Sequence, residues 1–132
     1  MFKTLLQTLL FTFAATTAHA ADPLSASEFD DYTVGKTLTF SEGGLAYGTE
    51  QYFSNNRVKW AFDEDTCVDG FWYEEESNIC FVYEHGGDPQ CWQFFLQGDK
   101  LRAVFQGSSG TELYEAEASD SPLTCMGPQV GV

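Results

Sequence analysis

From Thr37 onward the apolar positions recur with a period of two, in runs of strand length separated by turn chemistry. The runs are Thr37–Phe40, Leu45–Phe53, Arg57–Phe62, Cys67–Glu74, Asn78–Glu84, Gln90–Leu96, Lys100–Gln106 and Glu112–Glu117. Between them stand Glu42-Gly43-Gly44, Ser54-Asn55-Asn56, Glu76-Ser77-Asn78, His85-Gly86-Gly87-Asp88-Pro89, Gly98-Asp99 and Gly107-Ser108-Ser109-Gly110, all rich in residues that tolerate turn dihedrals. Eight short strands on short loops predict a mainly β fold, an antiparallel meander. Closing it into a small barrel removes the exposed edges; a strongly twisted half-barrel closed by the N-terminal helix is the alternative. The alternation also assigns faces. Val58, Trp60 and Phe62 share one, against Arg57, Lys59 and Ala61. Ile79, Phe81 and Tyr83 lie opposite Cys80 and Val82, and Trp92, Phe94 and Leu96 lie opposite Cys91 and Phe95. Strands apolar on both faces are covered on both, by the helix or by a bound ligand or partner.

Ahead of Thr37 the pattern is helical. Ser25-Ala26-Ser27-Glu28 fits a capping box, with Ser25 as N-cap and Glu28 reaching back. Leu24 is placed to staple the start, Phe29 and Tyr32 share a face, and Gly35 is placed to stop the turn. A short helix near 26–34 is predicted.

The first 20 residues have the three parts of a secretory signal: Lys3, the apolar stretch Leu5–Ala15, and Ala18-His19-Ala20 as a small-residue cleavage site. The apolar stretch is short of the roughly 20 residues a spanning helix needs. Cleavage after Ala20 is therefore expected, leaving residues 21–132 as a single domain, periplasmic or secreted, with no membrane anchor. All 20 acidic residues fall in this part, against Lys36, Arg57, Lys59, Lys100 and Arg102, so its net charge is −15. Such a chain repels phosphate, which sets nucleic acid aside. A basic protein, a cation or a cationic ligand stays compatible, and the acidity also serves solubility.

The four cysteines, Cys67, Cys80, Cys91 and Cys125, are even in number, lie in the exported part and form no C-x-x-C. They read as two disulfides in an oxidising compartment. Cys80 and Cys91 flank one hairpin and would face each other across it, so Cys80–Cys91 with Cys67–Cys125 is the preferred connectivity. A two-residue His85-Gly86 turn in that register would put Pro89 where the ladder needs an N–H, so a longer, bulged loop is expected.

Gly70-Phe71-Trp72 resembles the G-x-W of lipocalins, in the middle of the chain rather than at the first strand. More broadly, Tyr52, Val58-Lys59-Trp60, Gly70-Phe71-Trp72, Ile79-Cys80-Phe81-Val82-Tyr83 and Cys91-Trp92-Gln93-Phe94 together resemble small exported, disulfide-containing β domains of Gram-negative bacteria. Periplasmic inhibitors of proteases and lysozymes have a similar size and architecture. The resemblance implies barrel-like packing and no activity.

Candidate chemistry is sparse. The exported part has one histidine, His85, in a Gly-rich turn, where a triad needs a histidine between nucleophile and carboxylate. Among so many acids, pairs at glycosidase spacing arise by chance. Asp63, Asp65 and Glu74 fall at positions 1, 3 and 12 of an EF-hand frame, but Val68 stands where the turn glycine belongs and the flanks read as strands. An irregular calcium site around Asp63-Glu64-Asp65 with Asp69 is the metal reading that survives; no metal ligand set is assigned and no cofactor is implied. The remaining signal is aromatic: 9 Phe, 6 Tyr and 3 Trp after Ala20. These fill a barrel or line a binding face. The leading expectation is a monomeric, non-enzymatic binding module of inhibitor type, steered to a basic partner by Asp63, Glu64, Asp65, Glu74, Glu75 and Glu76. The second is a carrier of a small apolar or aromatic ligand, with Trp60, Trp72 and Trp92 near the pocket. A small enzyme is third, and its mark would be a cleft holding His85 or a carboxylate of raised pKa.

Overall fold

A computed structural model of the chain describes residues 12–16, 21–63 and 66–125. Of the expected signal, residues 12–16 have no regular structure, and the remainder, including Ala18-His19-Ala20, lies outside the described residues. The chain then forms α1 (Ala26–Thr33) and eight strands: β1 (Thr37–Glu42), β2 (Leu45–Tyr52), β3 (Arg57–Asp63), β4 (Thr66–Glu75), β5 (Asn78–Tyr83), β6 (Gln90–Gln97), β7 (Lys100–Phe105) and β8 (Glu112–Ser119). Each strand pairs antiparallel with the next, and β8 returns to β1 through Leu38↔Ala118 and Phe40↔Glu115. The meander closes into a barrel. With the ends of the sheet hydrogen-bonded to each other, no edge is left to template aggregation.

The side-chain alternation holds along the walls. Leu38, Phe40, Val58, Trp72, Ile79, Phe81, Trp92, Phe94, Leu101, Ala103 and Leu113 are buried in one core. Phe62 keeps to the side of Trp60, their ring centroids 5.2 Å apart, but is 66% exposed because it stands at the open end. The β3–β4 register passes from Ala61↔Cys67 to Asp63↔Thr66, so Phe62 sits unpaired in a bulge at the barrel rim.

The helix does not lie over an outer face of the sheet, as the two-sided apolar strands suggested. It closes one end of the barrel. The Ser25 side chain accepts from the Glu28 N–H, and Glu28 accepts from Ser25, completing the capping box. After the C-cap at Val34, Gly35 adopts φ +79°, which frees the chain to turn into β1. Phe29 is wholly buried, its ring edge-on to Tyr52, Trp72 and Phe81 and 4.5 Å from Phe94 between centroids. Around this plug, the Leu24 N–H bonds the Phe94 carbonyl, and the Tyr32 hydroxyl lies 2.6 Å from the Glu115 carboxylate.

Glu74, on β4, accepts a hydrogen bond from the Ala26 backbone N–H, one of the free donors at the start of α1. A carboxylate there also complements the helix dipole, so Glu74→Ala is expected to cost about 1 kcal/mol in urea unfolding. Glu74→Gln, which keeps the acceptor, should cost less; equal losses would mean that the cap contributes nothing.

Both disulfides take the preferred connectivity. Cys80 and Cys91 are directly paired residues of β5 and β6, and the ladder stops at Phe81↔Gln90. Pro89 therefore lies in the longer loop, outside the ladder. Cys67 is joined to Cys125 across 58 residues. The segment before Cys125 runs back over the outside of the wall: the Ser121 carbonyl accepts from Thr37, and the Leu123 N–H bonds Gln51. This strap crosses the first strands of the barrel. Two disulfides in so small a fold suit an oxidising, extracytoplasmic environment. Among the described residues, no helix is long and apolar enough to cross a membrane.

Candidate functional site

With α1 at one end, the other end of the barrel is open among the described residues, ringed by the β1–β2, β5–β6 and β7–β8 turns and by the facing ends of β3 and β4. Below the rim a cavity descends into the core. Tyr52, Phe81 and Phe94, the residues that hold Phe29 from the other side, form its floor. Phe40, Trp60, Trp92, Ala103 and Leu113 form the walls, and Tyr47, Phe62, Tyr83, His85 and Gln90 stand towards the mouth. The cavity itself is narrow, ≈ 50 Å³; with the open funnel above it the empty space totals ≈ 520 Å³.

Two inward-facing glycines make this room. A Cβ on Gly48 would lie 2.3 Å from the Trp60 indole, and one on Gly70 would lie 2.5 Å from the Val82 carbonyl oxygen and 2.7 Å from the Tyr83 ring. The absence of side chains at these points lets Trp60 and Tyr83 lie flat against the wall. Gly70 packs against the Tyr83 ring across the ladder rather than against Trp72.

One charged side chain reaches this apolar interior. Glu50, in the middle of β2, is 2% exposed, opposite Leu38 on β1 and Trp60 on β3. Its carboxylate oxygens lie 3.1 and 3.0 Å from the Tyr83 hydroxyl, which donates to them. Burial pushes the Glu50 pKa up to about 8; the Tyr83 hydrogen bond works in the opposite direction and is the smaller effect. Burial, and then the nearby Glu50 carboxylate, raise the Tyr83 and Tyr52 hydroxyls as well. No lysine or arginine among the described residues lines the cavity. Among the described residues, the two ion pairs, Lys59–Asp69 and Arg102–Glu112, involve side chains that point away from the lumen.

The expected site residues divide. Trp60 and Trp92 line the cavity, whereas Trp72 is at the plugged end, its ring 5.2 Å from Phe29 between centroids, and reaches no part of it. His85 does lie at the mouth, its ring 5.9 Å from that of Tyr83. The four steering acids among the described residues form no single patch. Asp63 ends β3 at the open rim, Glu74 and Glu75 end β4 at the helix end with Glu76 in the turn beyond, and Glu64 and Asp65 lie outside the described residues. The EF-hand frame fails for the same reason: the length of β4 separates Asp63 from Glu74, and Asp69 faces Lys59. Glu75 approaches the sulfurs of Cys80 and Cys91, but these are joined to each other and have no thiolate to offer a metal.

Glu50 and Tyr83 escaped the sequence-based site assignment. On β2, Tyr47 and Tyr52 fall on opposite phases of a strict alternation, which leaves the inward face undecided. The ladder passes from Phe40↔Gly48 to Ser41↔Ala46 and skips Tyr47, so this bulge brings both tyrosines, with Glu50, to the lumen. The chain matches no protein-family model, curated protein or solved structure.

Proposed function

We propose that this barrel binds a small ligand through its open end. What carries the reading is the asymmetry of the two ends: one is sealed by Phe29, while the other leads into an aromatic cavity with a carboxyl group at depth. A concave, largely apolar site with a few convergent polar groups is the usual form of a small-molecule site. The rim adds exposed Leu45 and Phe62, apolar surface at the point of access. The volume favours a ligand of few atoms, or a longer one whose remainder rests in the funnel. We infer further that the domain acts outside the cytoplasm after loss of residues 1–20. The resemblance to small exported β domains and the disulfides support this.

Interaction with a basic partner has less support, because the acids that would steer it are divided between opposite ends of the barrel. Acid–base catalysis is favoured by one observation: the cleft holds both His85 and a carboxyl raised towards neutrality. Among the described residues the lining offers Glu50 as its single carboxylate and no serine, threonine or cysteine, so among them neither a two-carboxylate mechanism nor a hydroxyl or thiol nucleophile has its parts there.

Native mass spectrometry of the oxidised protein, purified without refolding, tests the binding proposal. The expected result is a non-covalent adduct that denaturation removes, with a change in tryptophan emission on its removal. Trp60 and Trp92 should carry that change, and a variant retaining Trp72 alone should be silent. A bare mass, with emission indifferent to a panel of small amines, alcohols and arenes, would refute the proposal.

A further inference from the structure

The lumen pairs a single acidic group with rings. Glu50 is buried beneath the mouth with one hydroxyl donor, that of Tyr83, shared between its two oxygens, so acceptor capacity remains. Among the described residues no lysine or arginine in the lining answers it. Trp60, Tyr83 and Trp92 line the same cavity, and aromatic faces attract cations. An anion would meet a strongly acidic protein, whereas a cation gains a counter-ion when the buried carboxyl gives up its proton. A calcium ion needs six to eight oxygens, far more than one carboxylate among rings supplies.

We infer that the barrel lumen is a site for a small organic ammonium ion, with the Glu50 carboxylate as its counter-ion and aromatic rings enclosing it. The inference rests on the small-ligand reading above and names its chemical class. The ammonium supplies N–H donors to the carboxylate, and its carbon chain covers the rings towards the mouth. The net charge of −14 over the whole chain raises the local concentration of any cation. Near pH 7 the buried Glu50 carboxyl holds a proton in the empty barrel, and an arriving cation displaces it to solvent. The other titratable groups facing the lumen are Tyr47 and Tyr52 from β2, Tyr83 from β5 and His85 from the following turn; Glu115 of β8 acts on Tyr52 from the plugged end. The ladder partners of Glu50 on β1 and β3, Leu38 and Trp60, do not titrate.

Calorimetric titration of the oxidised protein near pH 7 with butylammonium and with 1-butanol, in buffers of different ionisation enthalpy, tests this. Butylammonium should bind about tenfold or more tightly than the alcohol, each bound ion releasing about one proton. Glu50→Gln should reduce the amine to the affinity of the alcohol and abolish proton release, whereas His85→Ala should preserve that release. Equal binding of amine and alcohol to the unaltered protein, or proton release that persists in Glu50→Gln, would overturn the counter-ion while leaving the pocket standing. Binding of neither probe, together with silence towards the wider panel, would overturn both readings.

Discussion

Glu50→Gln will make the domain more stable in alkali and will leave its stability near pH 4 almost unchanged. In the folded barrel the carboxyl titrates at about 8, against 4.5 when exposed in the unfolded chain. Below 4.5 both states hold the proton and Glu50 introduces no pH dependence. Between 4.5 and 8 the unfolded chain has released it and the folded chain has not, so folding takes up a proton and stability falls as pH rises. Above 8 the barrel holds a buried carboxylate and the loss is complete, on the order of 5 kcal/mol. Glutamine has the shape of the protonated carboxyl and cannot ionise. It therefore removes this limb while sparing the general decline caused by repulsion among the many other acids. Urea unfolding of both proteins from pH 4 to pH 9 reads the difference. Parallel profiles would mean that Glu50 is solvated or ionised throughout, and the lumen would then be wetter than its lining implies.

Phe29→Ala will cost about 3–5 kcal/mol, the range for removing a buried phenylalanine, because four aromatic neighbours lose their common contact. Domains of this size have about 5–15 kcal/mol in total, so the variant should be folded only marginally. Its urea midpoint should fall sharply with little change in slope. Phe29→Leu keeps most of the volume and should lose far less, which separates the cavity effect from loss of the helix itself. A loss below about 1 kcal/mol in the alanine variant would show that α1 rests against the barrel end without sealing it.

Much of this architecture is legible in the sequence because its turns are written in glycine, asparagine and serine, and because its strands keep their alternation outside the bulges. The boundaries of β3 to β7 and the capping box at Ser25 follow from local chemistry alone. The pairing of Cys80 with Cys91 follows from hairpin geometry. What local chemistry does not carry is depth along the barrel axis. Trp60, Trp72 and Trp92 all face inward, yet only position along the axis decides which two meet the cavity and which packs on Phe29. The same holds for the acids: Asp63 and Glu74 are close in sequence and a strand apart in space. The bulge at Tyr47 hides the inward phase of β2, and with it Glu50.

The strap from Ser119 to Cys125 gives the two disulfides different reach. Closing the barrel joins Thr37 to Ser119, the most distant of its strand pairings, and such contacts carry the largest loop-closure entropy. Cys80 and Cys91 meet within one hairpin and can oxidise as soon as β5 and β6 form. In the native fold Cys125 is held beside Cys67 by a strap that lies across β1 and β2. The long-range disulfide therefore ties the last segment over the closed seam, whereas the hairpin disulfide constrains only β5 and β6.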